Sequence, residues 1–253
     1  MLALVVCGAA AALYALGRRG RVRVWREACF YAGVVATFVV LEPPFDTYAD
    51  RWLTVHMAQH VVLMTVVPPL VVLGRPWPRL WLAFPLGARR ATVRALAGSS
   101  AFRAVGGAVR RPAVALALQT AALGAWHVPV LYDAAVRSET VHVFEHVCFV
   151  APALVYWGAL LDAAPVRTRM DQLRRSMWFA AAIVPGWILA IVLAFAGSPI
   201  YTAYPSITDQ QLAAGVMWVP GSLAYLIAAF CCFYRWLEPA AGVDPRPQEL
   251  SWT

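Results

Sequence analysis

Long apolar runs restrict what this chain can fold into. Several of them approach 20 residues, the length that an α-helix needs to cross a hydrocarbon core of ~30 Å. The chain is 61% hydrophobic and 13% charged, whereas about a quarter of the residues in a soluble domain are charged. We therefore predict an all-α, polytopic membrane protein. The runs predict seven transmembrane helices, at about 2–17, 26–43, 51–74, 112–131, 139–161, 177–197 and 209–236.

Arginine is distributed unequally between the predicted loops. Nineteen of the 21 basic residues, all arginine, fall on one side of the predicted bundle, and only Arg51 and Arg137 fall on the other. The positive-inside rule places the arginine-rich loops in the cytoplasm, with the N-terminus outside and the C-terminus inside. The net charge of +8 therefore indicates membrane orientation, and we predict no nucleic-acid partner.

Segments outside and within the spans carry further predictions. The first 21 residues lack a basic region and a cleavage site, so we expect a retained span rather than a signal peptide. The arginine-rich 75–111 segment is expected to lie at the membrane interface, with tryptophans at headgroup level and arginines on anionic lipid.

Pro68 and Pro69 predict a kink in the third span. Residues 1–237 form one transmembrane domain, and the Pro-rich 238–253 tail is expected to be disordered in the cytoplasm.

Five histidines, the full number in the chain, occupy three short motifs: HMAQH, AWHVP and HVFEH. With the predicted orientation, all five lie within about two helical turns of the outer ends of spans three, four and five. Histidines four residues apart share one helix face, where two imidazoles can hold one ion. We predict a single metal site formed by His56, His60, His127, His142 and His146.

Three residues on the same spans are candidates for supporting roles. Gln59 and Glu145 each directly precede the second histidine of a pair. A residue one position away points ~100° around the helix, so we expect both to orient the histidines rather than bind the ion. Met64 lies four residues after His60 and is a possible soft ligand. Core packing is its alternative role.

Acidic residues cluster on the predicted outer side. They form a rim that could collect cations. Asp209 opens the last span, where it could cap that helix or face the site, and capping is favoured. A rim role is predicted for Asp133. The rim residues are Asp46, Asp50, Asp133, Glu139 and Asp209.

The donor types leave the chemistry open. Imidazole suits zinc, copper, iron and nickel. The zinc-protease motif is absent, because neither histidine pair has a glutamate directly after its first histidine. An intramembrane zinc hydrolase with Glu145 or Asp209 as general base remains an alternative. One haem held by a histidine from each of two spans is another.

Four segments carry a resemblance to a known family: RWLTVHMAQHVVLMTVVPPLVVLGRP (51–76), WHVPVLYDAAV (126–136), HVFEHVCFVAPALVYWGALL (142–161) and TDQQLAAGVMWVPG (208–221). Over about residues 40–237 the chain resembles the CtaG family of assembly factors for caa3-type cytochrome c oxidases. The resemblance implies a bacterial plasma-membrane protein that helps copper reach the oxidase. It implies that the five histidines bind copper. The implied partners are an oxidase subunit, a copper donor and the lipid bilayer. No step in that role requires turnover, so we predict a non-enzyme.

Overall fold

The computed structural model describes residues 2–18, 23–163, 168 and 170–238. These residues form fifteen α-helices and one π-helical segment and contain no β-strand, which confirms the predicted all-α class. The predicted disordered tail lies outside the described residues, apart from Glu238. The helices are α1 (Leu2–Leu16), α2 (Val24–Leu41), α3 (Phe45–Ala49), α4 (Leu53–Val61), α5 (Val67–Leu73), α6 (Pro76–Ala83), α7 (Leu86–Gly98), α8 (Ser100–Val109), α9 (Pro112–Trp126), α10 (Pro129–Arg137), α11 (Glu139–Leu160), α12 (Gln172–Ala181), α13 (Ile183–Phe195), α14 (Ile207–Trp218) and α15 (Pro220–Leu237), with the π segment at Val62–Val66.

Within the described part of the chain, five helical stretches are long and apolar enough to cross a membrane, as a polytopic membrane protein requires. A sixth is obtained if the bent pair α9 and α10 counts as one span. The helix α1 is apolar but only 15 residues long, which corresponds to about 22 Å at 1.5 Å per residue. The five stretches are Val24–Leu41, Leu53–Leu73, Glu139–Leu160, Gln172–Phe195 and Ile207–Leu237.

The fourth predicted span is broken where its histidine lies. The axes of α9 and α10 differ by 76°. Val128 has an extended backbone (φ −66°, ψ 126°) and Pro129 begins α10. A residue before proline disfavours helical angles, and proline lacks the N–H that would continue the helical ladder. His127 therefore ends α9 instead of lying inside a straight span.

The third predicted span is the centre of the bundle. In the most apolar part of this span 56% of the residues are buried, against 17% in the corresponding part of Val24–Leu41. It runs as α4, the π segment and α5, and it contacts α2, α11 and α14. The π segment directly precedes the turn with Pro68, whose missing N–H leaves the preceding helical ladder incomplete. The expected irregularity at the prolines thus takes the form of a wider helical turn.

Asp209 joins the start of α4 to the start of α14. Its carboxylate accepts hydrogen bonds from the backbone N–H groups of Leu53 (2.7 Å) and Thr54 (3.1 Å), and from the Thr54 hydroxyl (2.6 Å). The first N–H groups of a helix have no partner within the helix, so this carboxylate caps α4. The cap of α14 itself is Ser206, whose hydroxyl accepts from the Asp209 N–H at 3.3 Å.

The arginine-rich 75–111 segment contains three helices in different surroundings. The helix α6 packs against α1, and Arg79 is buried there. Its guanidinium donates to Glu27 Oε1 at 2.6 Å and stacks on the Tyr14 ring, 4.3 Å from the ring centroid. This arginine therefore pairs with protein rather than lipid. The helices α7 and α8 bury no residue.

Gly17 allows the end of α1 to approach α6. A Cβ atom at this position would lie 1.8 Å from the Arg79 carbonyl oxygen. We expect Gly17→Ala to push the two helices apart and to lower the free energy of unfolding by about 1–3 kcal/mol or more. The measurement is a lower Tm in detergent. Gly8→Ala, also on α1 and with no atom within 4 Å, is the control. Equal melting of the two variants would contradict this account of the α1–α6 contact.

Candidate metal centre

The structure brings the five histidines together from three parts of the chain. His56 and His60 project from α4, His142 and His146 from α11, and His127 ends α9. The ring centroids are 4.4 Å apart for His56–His60, 5.0 Å for His56–His142, 4.2 Å for His142–His146, 5.4 Å for His60–His146 and 6.5 Å for His60–His127. Four of them are buried and His142 is partly exposed. The rings therefore form one continuous cluster that reaches the surface at His142.

Four side chains of this cluster form a tighter group. His56, His60, His142 and Glu145 each offer one donor atom, and these atoms all lie within 4.8 Å of one another. The Nε2 atoms of His56 and His60 are 3.0 Å apart. Two nitrogen ligands on one tetrahedral zinc-sized ion, each at ~2.0 Å, are separated by about 3.3 Å. The spacing therefore suits two ligands of a single ion.

Glu145 is the least satisfied polar residue of the group. Its side chain is fully buried, and neither carboxylate oxygen has a hydrogen-bond partner among the described residues. Oε1 lies 3.9 Å from His60 Nε2. A carboxylate buried without a partner costs several kcal/mol unless a proton or a cation neutralises it. A cation bound at this point would supply that neutralisation.

The place of Glu145 in the donor group differs from the supporting role predicted from the sequence. That prediction compared Glu145 with His146, one position away. The informative comparison is with His142, three positions away, because residues three apart share a helix face. An i,i+3 histidine–carboxylate pair was thus present in HVFEH as a signal.

Tyr204 controls the tautomer of His56. Its hydroxyl donates to the Ala49 carbonyl at 2.7 Å, so its oxygen accepts from His56 Nδ1 at 3.0 Å. With the proton on Nδ1, the Nε2 atom of His56 keeps a lone pair for a metal ion. Burial raises the pKa of Tyr204 well above its usual range, so the hydroxyl keeps its proton. Sequence reasoning missed this residue because it lies 148 positions from His56.

His127 has the same tautomer for a different reason. Its Nδ1 lies 2.8 Å from the carbonyl oxygen of Leu123, which can only accept, so Nδ1 carries the proton. The remaining ring nitrogen, Nε2, is buried and has no partner in the described part of the chain. His127 is outside the group of four donors.

The partly exposed side of the cluster faces acidic residues on α3 and its end. Asp50 is close enough to Asp46 and His142 to interact with both charges. Burial, and next the Asp46 carboxylate, raise the pKa of Asp50, while His142 lowers it. Gln59 reaches this region as well, because its amide donates to Asp46 Oδ1 (3.1 Å) and to the Val40 carbonyl (2.7 Å) rather than to a histidine.

The other candidate residues hold the surroundings in place. Asp133 on α10 accepts from the Thr202 hydroxyl at 2.5 Å and from the Ala203 N–H at 3.3 Å, which ties α10 to the loop before α14. Asp209 caps α4, as described above. Met64, in the π segment, is buried and lines a cavity next to His60. None of these three belongs to the group of four donors.

Comparison with known proteins identifies a family whose model covers most of the chain. The family model described as cytochrome c oxidase caa3 assembly factor (Caa3_CtaG) matches residues 10–239. The match spans all five histidines and Glu145. No curated protein and no solved structure matches the chain.

Proposed function

This chain belongs to the cytochrome c oxidase caa3 assembly factor family, and from that membership we propose that it binds copper and helps to metallate the oxidase. The transfer takes place at the outer face of the bacterial plasma membrane, where a copper donor loads the site. The single observation that carries the proposal is the buried Glu145 carboxylate, which has no hydrogen-bond partner among the described residues and shares a 4.8 Å group with His56, His60 and His142.

Copper is the metal that fits both the donors and the family role. Imidazole and carboxylate donors bind copper more tightly than the other divalent first-row metals. An ion held by three neutral imidazoles and one carboxylate has much of its charge compensated within the apolar bundle. Bound at this site, copper is cargo, and the residues have only to hold and release it. The protein therefore acts without catalytic turnover.

Release of the ion requires a ligand that the recipient can replace. His142 is the partly exposed histidine, and it lies on the side of Asp46 and Asp50. An incoming ligand from the oxidase subunit can take the place of His142 while His56, His60 and Glu145 still hold the ion. The two aspartates raise the local cation concentration at this access point.

The orientation follows from the distribution of arginine. We propose seven spans, with α1 as the first and the bent pair α9 and α10 together as the fourth. The arginine-rich segments then lie in the cytoplasm, and the histidine cluster lies in the outer half of the bilayer. The helix α10 lies against the cluster, since the Tyr132 ring centroid is 5.2 Å from that of His56 and 5.9 Å from that of His127. In the proposed orientation it covers the cluster from the outer side.

The proposal is tested by metal content and by the state of the oxidase. We expect the purified protein to bind copper with high affinity, and His56→Ala and His60→Ala, which each remove one of the four donors, to weaken that binding, measured by elemental analysis and competition titration. Deletion of the gene is expected to lower the copper content of the oxidase while its haem content stays unchanged.

Three results would contradict the proposal. Stoichiometric zinc without affinity for copper would favour the zinc hydrolase. A Soret band in the purified protein would favour a haem protein. Normal oxidase copper after deletion would exclude the assembly role even for a copper-binding protein.

A further inference from the structure

We infer that the protein has a second metal site, specific for Cu(I), in the cavity beside the histidine cluster. Its donors are His127 Nε2 and the thioethers of Met57, Met64 and Met217. The inference rests on the proposed copper function and extends it, because it assigns a soft-metal site that is separate from the four donors around Glu145.

The cavity places three methionines and two histidines around one space. It has a volume of about 60 Å³, enough for a small ion with a few water molecules. Met57 comes from α4, Met64 from the π segment and Met217 from α14, and all three are buried. Three of the six methionines of the chain therefore converge here from separate segments.

His127 supplies the independent sign of a ligand. Its side chain is 6% exposed and lines the cavity. The hydrogen bond from Nδ1 to the Leu123 carbonyl leaves the lone pair on Nε2, which is buried without a partner among the described residues. An imidazole in that state is ready to bind a metal ion and is expensive to leave unsatisfied.

The donor set decides the metal and its oxidation state. Thioether sulfur is a soft ligand that prefers Cu(I) to Zn(II) or Cu(II), and an imidazole completes such a site. The methionines supply no negative charge, so a monovalent ion is the one whose charge this cavity can accept. Filling space is the alternative role of a methionine, and a leucine of similar volume would perform that role equally well.

His60 connects the two sites. It belongs to the four-donor group and also lines the cavity, and its ring lies 6.5 Å from the ring of His127. Imidazole nitrogen binds copper in both donor sets, so an ion that is already Cu(I) can pass between them by exchange of ligands at His60. The transfer changes no oxidation state and needs no electron donor.

The test compares Met57→Leu/Met64→Leu/Met217→Leu with the matched variant Met177→Leu, whose methionine is 65% exposed on α12. The probes are Ag(I), a redox-inert soft ion, and Cu(I), with Zn(II) as the control. We expect the triple variant to bind one Ag(I) or Cu(I) fewer per chain than the wild type and to bind Zn(II) unchanged. Met177→Leu should match the wild type. X-ray absorption of the Cu(I)-loaded wild type should show sulfur ligands that the triple variant lacks.

The outcomes separate this inference from the proposed function. Equal Ag(I) binding by both variants, with no sulfur ligand in either, would overturn the second site even if the protein metallates the oxidase. Loss of one Ag(I) in the triple variant, together with normal oxidase copper after gene deletion, would support the site and overturn the assembly role. Unchanged Zn(II) binding shows that the triple variant is folded, and Met64→Leu alone provides the same comparison if the triple variant does not bind Zn(II).

Discussion

Glu145→Gln is expected to lower the affinity of the histidine cluster for Zn(II) and Cu(II) by about 100-fold or more, because Glu145 is one of the four donors and loss of even a residue that only orients a ligand costs a metal site ~10–100-fold. The substitution keeps the shape of the side chain but removes the negative charge that would neutralise the ion. The metal-free protein should be as stable as the wild type or more so, because the variant no longer buries a carboxylate that lacks a partner.

The measurement is a titration of each protein with Zn(II), followed by thermal unfolding with and without the metal. The metal should raise the Tm of the wild type far more than that of Glu145→Gln, because a ligand that binds only the native state stabilises it in proportion to its affinity. Glu139→Gln, an exposed position on the same helix, is the control and should behave as the wild type. Equal Zn(II) affinity of the two variants would remove Glu145 from the site.

Asp209→Ala is expected to destabilise the protein by about 2–3 kcal/mol, since it removes a charged cap whose donors include the buried Leu53 N–H. The backbone N–H groups of Leu53 and Thr54 would lose their acceptor, and α4 would lose its link to α14. The lower stability is measured as a reduced Tm in detergent. Asp209→Asn keeps one carbonyl oxygen as an acceptor, so its Tm should lie between those of the wild type and Asp209→Ala.

The control for this prediction is Asp171→Ala. Asp171 also caps a helix, since its carboxylate accepts from the Arg174 N–H at 2.9 Å. It is exposed, and among the described residues it accepts no hydrogen bond from a second helix. Its loss should cost about 1 kcal/mol. We expect Asp209→Ala to reduce metal binding as well, because the displaced helix carries His56 and His60, whereas Asp171→Ala should leave it intact. Equal losses of stability in the two variants would contradict the special role of Asp209.

Sequence periodicity was sufficient for the features that depend on local chain properties. The length of the apolar runs, together with the low share of charged residues, predicts a helical membrane protein. The i,i+4 spacing together with arginine asymmetry placed His56, His60, His142 and His146 in one layer, and the structure brings these rings into contact. Such features follow from helix geometry, which is the same in every sequence.

Features that depend on distant partners could not be predicted in this way. The tautomer of His56 depends on a hydroxyl in a loop 148 residues away. Asp209 caps α4 rather than its own helix because Leu53, 156 residues away, lies beside it. Arg79 is buried because Glu27 and Tyr14 meet it across the α1–α6 contact. Each case requires the tertiary packing, since the residue type alone allows several roles.

The break at His127 was only partly predictable from the local sequence. The Val128–Pro129 pair contains the local signal for a helix end, but an apolar run that continues past it favours an unbroken span. The 76° bend shows that proline decided the local geometry. A span that carries a histidine directly before an X-Pro pair is therefore better treated as two helices.

The 3.0 Å contact between the Nε2 atoms of His56 and His60 has a kinetic consequence. Donors that are already side by side in the folded protein do not have to be gathered by the ion, so binding loses little side-chain entropy. The proposed site is therefore preorganised, and we expect little of its binding free energy to be lost in rearranging the side chains. Loading should therefore be limited by the arrival and dehydration of the ion rather than by motion of the helices.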